Sequence, residues 1–364
     1  MKKYINSRKT TIIFFTLILV ISILIKVVSY FPFWVERMYS QGLYPYISSF
    51  YRTIFGWIPF SFGDVFYAVV GLLLFWSVLR FVKIIARQGL KQFDYRENLK
   101  KAFFIASVIY IYFNLSWGLN YNRPGIAYQL QLSQQDYGDS ALKEITAILL
   151  KKVNESRAVL GSEEIKYGSY DLVFEQASVA YQNASATFPF LNYSPKSIKK
   201  SMYGRMGNFL GFLGYYNPFT GEAQVNLTQP RFLIPYVSCH EMAHQLGYAS
   251  ESEANFVGYL AAVHSPNKLF HYSAYFDLFN YANRQLWASD SIAAKNNYKQ
   301  LDTLVKKDEQ ELREYWRKSD NIFEPLIKIF YDRYLKANQQ AKGVKSYNEV
   351  VGWLISYHAK YGKI

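Results

Sequence analysis

The chain of 364 residues has a single cysteine, Cys239, so no intramolecular disulfide can staple it. Histidine is nearly as scarce, at five. Acidic side chains are thin at the start: residues 1–122 hold fourteen Lys/Arg against four Asp/Glu, a large share of the net charge of +14. That excess flanks apolar runs instead of forming a basic face on a folded domain, which excludes a nucleic-acid partner and points to a lipid bilayer. Beyond about Tyr121 no apolar run is long enough to cross a membrane, and there are no internal repeats or low-complexity tracts.

Three apolar stretches stand in residues 1–121, at about 11–30, 64–86 and 102–120. Each approaches the roughly 20 residues that span a bilayer as a helix. The basic flank MKKYINSRK precedes the first without a small-residue cleavage site after it, so an uncleaved anchor is expected. Lys2, Lys3, Arg8 and Lys9 precede the first stretch, and Arg80 to Lys101 supplies seven more cations between the second and third. The loop between the first and second has only Arg37 and Arg52. The positive-inside rule therefore puts the N-terminus in the cytoplasm and residues 122–364 outside, periplasmic or extracellular, in a multi-pass protein of a bacterial cytoplasmic membrane.

Residues 122–364 suffice for one compact domain. Apolar residues recur at helical spacing over 140–160 and 170–186. The glycine- and aromatic-rich stretch 207–227 carries turn signals and reads as a bent hairpin or edge strand, which an extended substrate could join by strand addition. Pro235 suits a first helical turn, and helical patterning runs from there to 285 and over 292–360. The expected fold is mostly α, an α+β domain with one small sheet behind three transmembrane helices.

Two of the five histidines sit four apart in HEMAH, 240–244. On a helix, positions i and i+4 share a face, so His240 and His244 can aim at one point with Glu241 beside them. This is the pattern of a zinc site with a glutamate acting on metal-activated water. The neighbours FLIPYV, Cys239, Met242, Ala243 and Leu246 mark a buried helix, where two imidazoles and a carboxylate without partners would cost several kcal/mol. One zinc per chain removes that cost. A third ligand is needed. A histidine three residues past Gly247 would serve, but that position is Ser250. Glu251 and Glu253 remain. Ser250 with Glu253 forms a capping box, which favours Glu251 as ligand and leaves Glu253 as the alternative. Asn255, four residues after Glu251, can hydrogen-bond and orient a liganding histidine.

At these residues the chain resembles the gluzincins, zinc metallopeptidases with HExxH on one helix and a glutamate on the next. ESEANF, 251–256, is similar to the ExxAN or ExxAD signature of the CAAX-prenyl-peptidase-like and repressor-cleaving groups. The resemblance implies a zincin-like helical domain with His240, His244 and Glu251 as ligands and Glu241 as general base and acid. The gap of six residues between His244 and Glu251 is shorter than usual for that clan, so a tight turn at Gly247 is required. Taken whole, through IPFSFGD, WGLNYNRPG, TGEAQVN, HEMAHQLGYASESEANF and VKSYNEVV, the chain also resembles an uncharacterised bacterial membrane family with three N-terminal spans.

The function expected is hydrolysis of a peptide or protein substrate on the extracytoplasmic side. Tyr347, Arg205, His264 and His271 are candidates for the oxyanion donor such chemistry needs beyond the metal. Two alternatives stay open: a non-catalytic, zinc-binding scaffold or sensor, and a hydrolase of a non-peptide amide such as a cell-wall crosslink. Cleavage inside the membrane is disfavoured, because 231–256 is too polar for a bilayer helix.

Overall fold

The computed structural model describes residues 2–88, 94–132, 137–161, 165, 167–338 and 349–364. Its helices are α1 (Lys2–Val28), α2 (Pro32–Trp34), α3 (Tyr44–Gly56), α4 (Phe62–Gln88), α5 (Tyr95–Ser116), α6 (Gly125–Leu130), α7 (Asp139–Val159) and α8 (Tyr170–Thr187). Strand β1 (Ile198–Lys200) and helix α9 (Gly204–Leu210) follow, then β2 (Gly214–Asn217) and β3 (Glu222–Val225). The remainder is helical: α10 (Ile234–Gln245), α11 (Glu251–Val263), α12 (Lys268–Ser289), α13 (Ser291–Lys299), α14 (Thr303–Ser319), α15 (Glu324–Ala337) and α16 (Val350–Tyr361). The protein is mostly α with one small sheet, as its patterning predicts.

Phe62–Arg87 and Tyr95–Ser116 are long and apolar enough to cross a membrane. Ile13–Val28 with Pro32–Gly56 would make a third span, bent by 99°. The third apolar stretch ends earlier than the expected residue 120. Helix α5 stops at Ser116, because Trp117, Leu119 and Asn120 turn off into a short 3-10 helix and bury themselves against the folded domain. The segment between α1 and α4 holds a second surprise. It is a π-helical stretch, Val35–Leu43, followed by α3, and it packs onto the domain: Tyr44 and Ser48 donate to the Gln245 carbonyl at 3.0 and 2.6 Å.

The sheet order is β1-β3-β2, with β1 parallel and β2 antiparallel to β3. The hairpin expected within 207–227 is β2–β3, and β2 is a sheet edge. Strand β1, three residues long, has no legible signal of its own. Glu222 on β3 accepts from the N–H groups of Phe62 and Gly63 and so caps the entry to α4, tying the sheet to that apolar helix. The main core gathers side chains from α7, α8, α10, α11, α12 and α16 around the buried sheet residues Ala223 and Val225.

Candidate metal centre

Helix α10 lies at the middle of that core. Every residue in it is buried except His240, which is partly exposed. A helix enclosed on all sides shows no amphipathic stripe, so its polar residues must find partners. Gln245 does so: its amide donates to the carbonyls of Ser197 and Gly221 at 2.9 and 2.7 Å and accepts from the Tyr193 hydroxyl at 2.7 Å. Gly247, with φ of +85°, then turns the chain in a left-handed conformation that glycine adopts without strain. Ser250 caps α11 by accepting from the Glu253 N–H at 3.3 Å.

The tight turn swings Glu251 back over α10. Its Oε2 stands 3.3 Å from His240 Nε2 and 3.6 Å from His244 Nε2. All three ligand-type atoms lie within 4.8 Å of one another. Donors about 2.0–2.1 Å from a tetrahedral zinc are separated by ~3.3 Å, and the two distances from Glu251 to the histidines are close to that value. The His244 ring is fixed by its other nitrogen, Nδ1, which lies 2.7 Å from the Tyr248 carbonyl. A carbonyl only accepts, so Nδ1 carries the proton and Nε2 presents its lone pair to the centre. Asn255 stands at the His240 ring and raises its basicity, although no in-line hydrogen bond joins them.

Glu253 goes elsewhere. Its carboxylate accepts from the Ile126 N–H at 2.7 Å and from the Ser250 hydroxyl at 3.1 Å. The two downstream glutamates are thus divided between a cap and the histidines.

Electrostatics follow from burial and proximity. Burial works against charge on Glu251, but the two histidines outweigh it and hold the carboxyl well below its usual range. Burial likewise disfavours charged His240, yet the Glu251 contact and nearby Glu241 keep it at about 9. Glu241 makes no contact of that strength. Burial pushes it up to about 7, only partly offset by the histidines, and its Oε2 has no hydrogen-bond partner among the described residues. Glu241 lines a cavity of about 1160 Å³ together with His240, His244 and Glu251. Gly214 of edge strand β2 borders Glu241 so closely that a Cβ there would fall 2.5 Å from Glu241 Oε1.

Of the four candidate oxyanion donors, the three that are described do not line this cavity. Arg205 is exposed on α9 and does not line the cavity. His264 Nδ1 is engaged by the Leu260 carbonyl, and His271 Nε2 by that of Ser265; neither lines the cavity. Tyr347 lies outside the described residues. The structure instead brings Tyr331 of α15 to the centre, donating to Glu251 Oε1 at 3.2 Å. Asp277, Tyr281 and Arg284 of α12 line the same cavity. Asp277 and Arg284, seven apart on an aromatic helix, could have been flagged as charges on a buried face. Tyr331 has no comparable local signal.

The sequence pattern of the family described as "Protein of unknown function (DUF3810)" matches residues 39–355. The chain belongs to that family. The matched region takes in α3, α4 and α5 as well as both helices of the centre. No curated protein and no solved structure matches the chain.

Proposed function

We propose that this DUF3810 protein is a membrane-anchored zinc-dependent hydrolase, a peptidase of gluzincin type with its folded domain outside the cytoplasmic membrane of a bacterium. One observation carries the reading: His240, His244 and Glu251 bring three ligand-type atoms together beside Glu241, a buried carboxylate with an unpartnered oxygen, and all four residues line one large cavity.

His240, His244 and Glu251 would hold the ion, with the Tyr248 carbonyl orienting the His244 ring and Asn255 beside the His240 ring. Zinc, when bound, would supply a Lewis acid that activates water and polarises a carbonyl. Glu241, outside the ligand trio, takes a proton from water in the cavity and returns it to the leaving amine. Edge strand β2, against Glu241, offers unpaired backbone groups to an extended peptide. Only three protein ligands are gathered among the described residues, which favours a catalytic over a closed structural site. The outward orientation rests on the lysines and arginines at the far ends of α1, α4 and α5, away from the ends that meet the domain.

The test is metal analysis and peptidase assay of the full chain in detergent. The full chain is needed because Tyr44 and Ser48 brace α10 from the segment before α4. The expected result is one zinc per chain, lost in His244→Ala and kept in Glu241→Gln, with hydrolysis absent from both. A zinc-loaded Glu241→Gln variant with unchanged turnover would refute the role given to that residue.

A further inference from the structure

Helix α15 and the turn before it expose an apolar stripe: Ile322, Phe323, Leu326, Ile329 and Phe330, from 50% to 88% exposed. Their spacing places them along one side of a helix. The stripe does not stand alone. Asn321 donates to the Phe209 carbonyl at 2.9 Å, joining α15 to α9, whose Met206 and Phe209 are also about half exposed. Just before α9, Met202 N–H donates to the Asp64 carboxylate and the Tyr203 hydroxyl to the Asp64 carbonyl, both at 2.7 Å. Asp64 sits in the first turn of α4. Hydrogen bonds therefore link the start of α4, a helix long and apolar enough to cross a membrane, to the segment entering α9, and α9 to the exposed apolar side of α15.

Soluble surfaces rarely expose a contiguous patch of this kind without a partner. Its link to α4 singles out the partner, and the charge around it agrees. Arg205, Arg317, Lys318 and Arg333 are exposed on or beside these helices, as suits helices lying among anionic headgroups, while Lys328 and Lys336 pair with Glu324 and Asp332 of α15.

We propose that α9 and α15 lie in the bilayer interface, so that the metal cavity opens at the membrane surface and takes membrane-borne substrates. The cavity lining supports the second half. Tyr67, one turn into α4, and Trp117, just past α5, line the cavity together with Met206, Phe209, Ile327 and Tyr331. Its wall thus descends to the level where two apolar helices begin. A lipid-attached chain, or the segment next to a membrane anchor, would enter without leaving the interface. The substrate half rests on the hydrolase reading; the bilayer contact does not.

The test uses full-length protein in phosphatidylethanolamine–phosphatidylglycerol nanodiscs. Single cysteines replace Leu326, Phe330, Met206 or, as a distant control, exposed Lys151, and each carries a bimane label. Native Cys239 is buried and does not compete for it. Brominated acyl chains should quench the labels at 326, 330 and 206 at least about threefold more than the label at 151, and aqueous iodide should show the reverse order. Equal iodide quenching at 326, 330 and 151 would overturn the bilayer contact. So would protection from both quenchers at 326 and 330, the mark of a protein partner or second copy. Iodide-only quenching at 206 would overturn the substrate class. The pattern should persist in His244→Ala, so a failed zinc assay and a failed bilayer contact are read separately.

Discussion

The backbone N–H of Ile126 donates to Glu253 Oε1 at 2.7 Å, across 127 positions of sequence. That bond, with the one from Ser250, commits Glu253 to holding α6 against α11, while Glu251 goes to the histidines and Tyr331. Separate alanine substitutions should therefore part company. Glu251→Ala loses zinc at concentrations that saturate the wild type. Glu253→Ala keeps it and loses about 1–3 kcal/mol of stability, the cost of a buried N–H left without its acceptor. Metal content and thermal melts distinguish the two, and zinc loss in Glu253→Ala alone would reverse the assignment.

Gly214 leaves room for Glu241. A methyl group there would meet Glu241 Oε1 and the Gln224 carbonyl at 2.5 and 2.9 Å, so either the carboxylate or the strand must move. Gly214→Ala should bind zinc normally while its kcat falls by roughly 10²-fold, as expected when a general base is misplaced by about an ångström. Unchanged kcat would mean that Glu241 does not work from this position.

Arg123 pairs with Glu36 at 3.0 Å, both nearly devoid of solvent, and lies over the Tyr248 ring. Replacing it strands a buried carboxylate. Arg123→Met should cost about 3–5 kcal/mol, and adding Glu36→Gln should recover part of the loss. Denaturant unfolding in micelles gives both values, and additive losses in the double variant would show that the pair is not coupled.

Burial lifts Asp277 from 3.8 to about 6, with partial relief from Arg284 and His240. A raised folded pKa means that the native state holds the proton where the unfolded chain has released it. Its stabilising contribution is whole below about pH 4 and lost as the pH rises through about 6. In metal-free protein, Asp277→Asn should melt above the wild type at neutral pH and match it near pH 4. Parallel melting curves across that range would contradict the shift.

The local parts of this protein are legible in its sequence. Apolar runs mark α1, α4 and α5, because apolarity over a helix's length is a property of consecutive residues. The i, i+4 spacing sets His240 and His244 on one face, and Ser250 marks the start of α11, because a helix fixes neighbours within a turn. Gly247 announces the bend between them. The hairpin β2–β3 shows in its turn residues, whereas β1 is too short to carry a pattern.

Tertiary structure alone decided the rest. The choice between Glu251 and Glu253 depends on Ile126, and the approach of Tyr331 to Glu251 spans 80 positions. The packing of Tyr44 on α10 spans about 200. Periodicity records which face a residue occupies, not which distant face it meets. Such meetings are set by the summed packing of many elements, and no single stretch of chain encodes them.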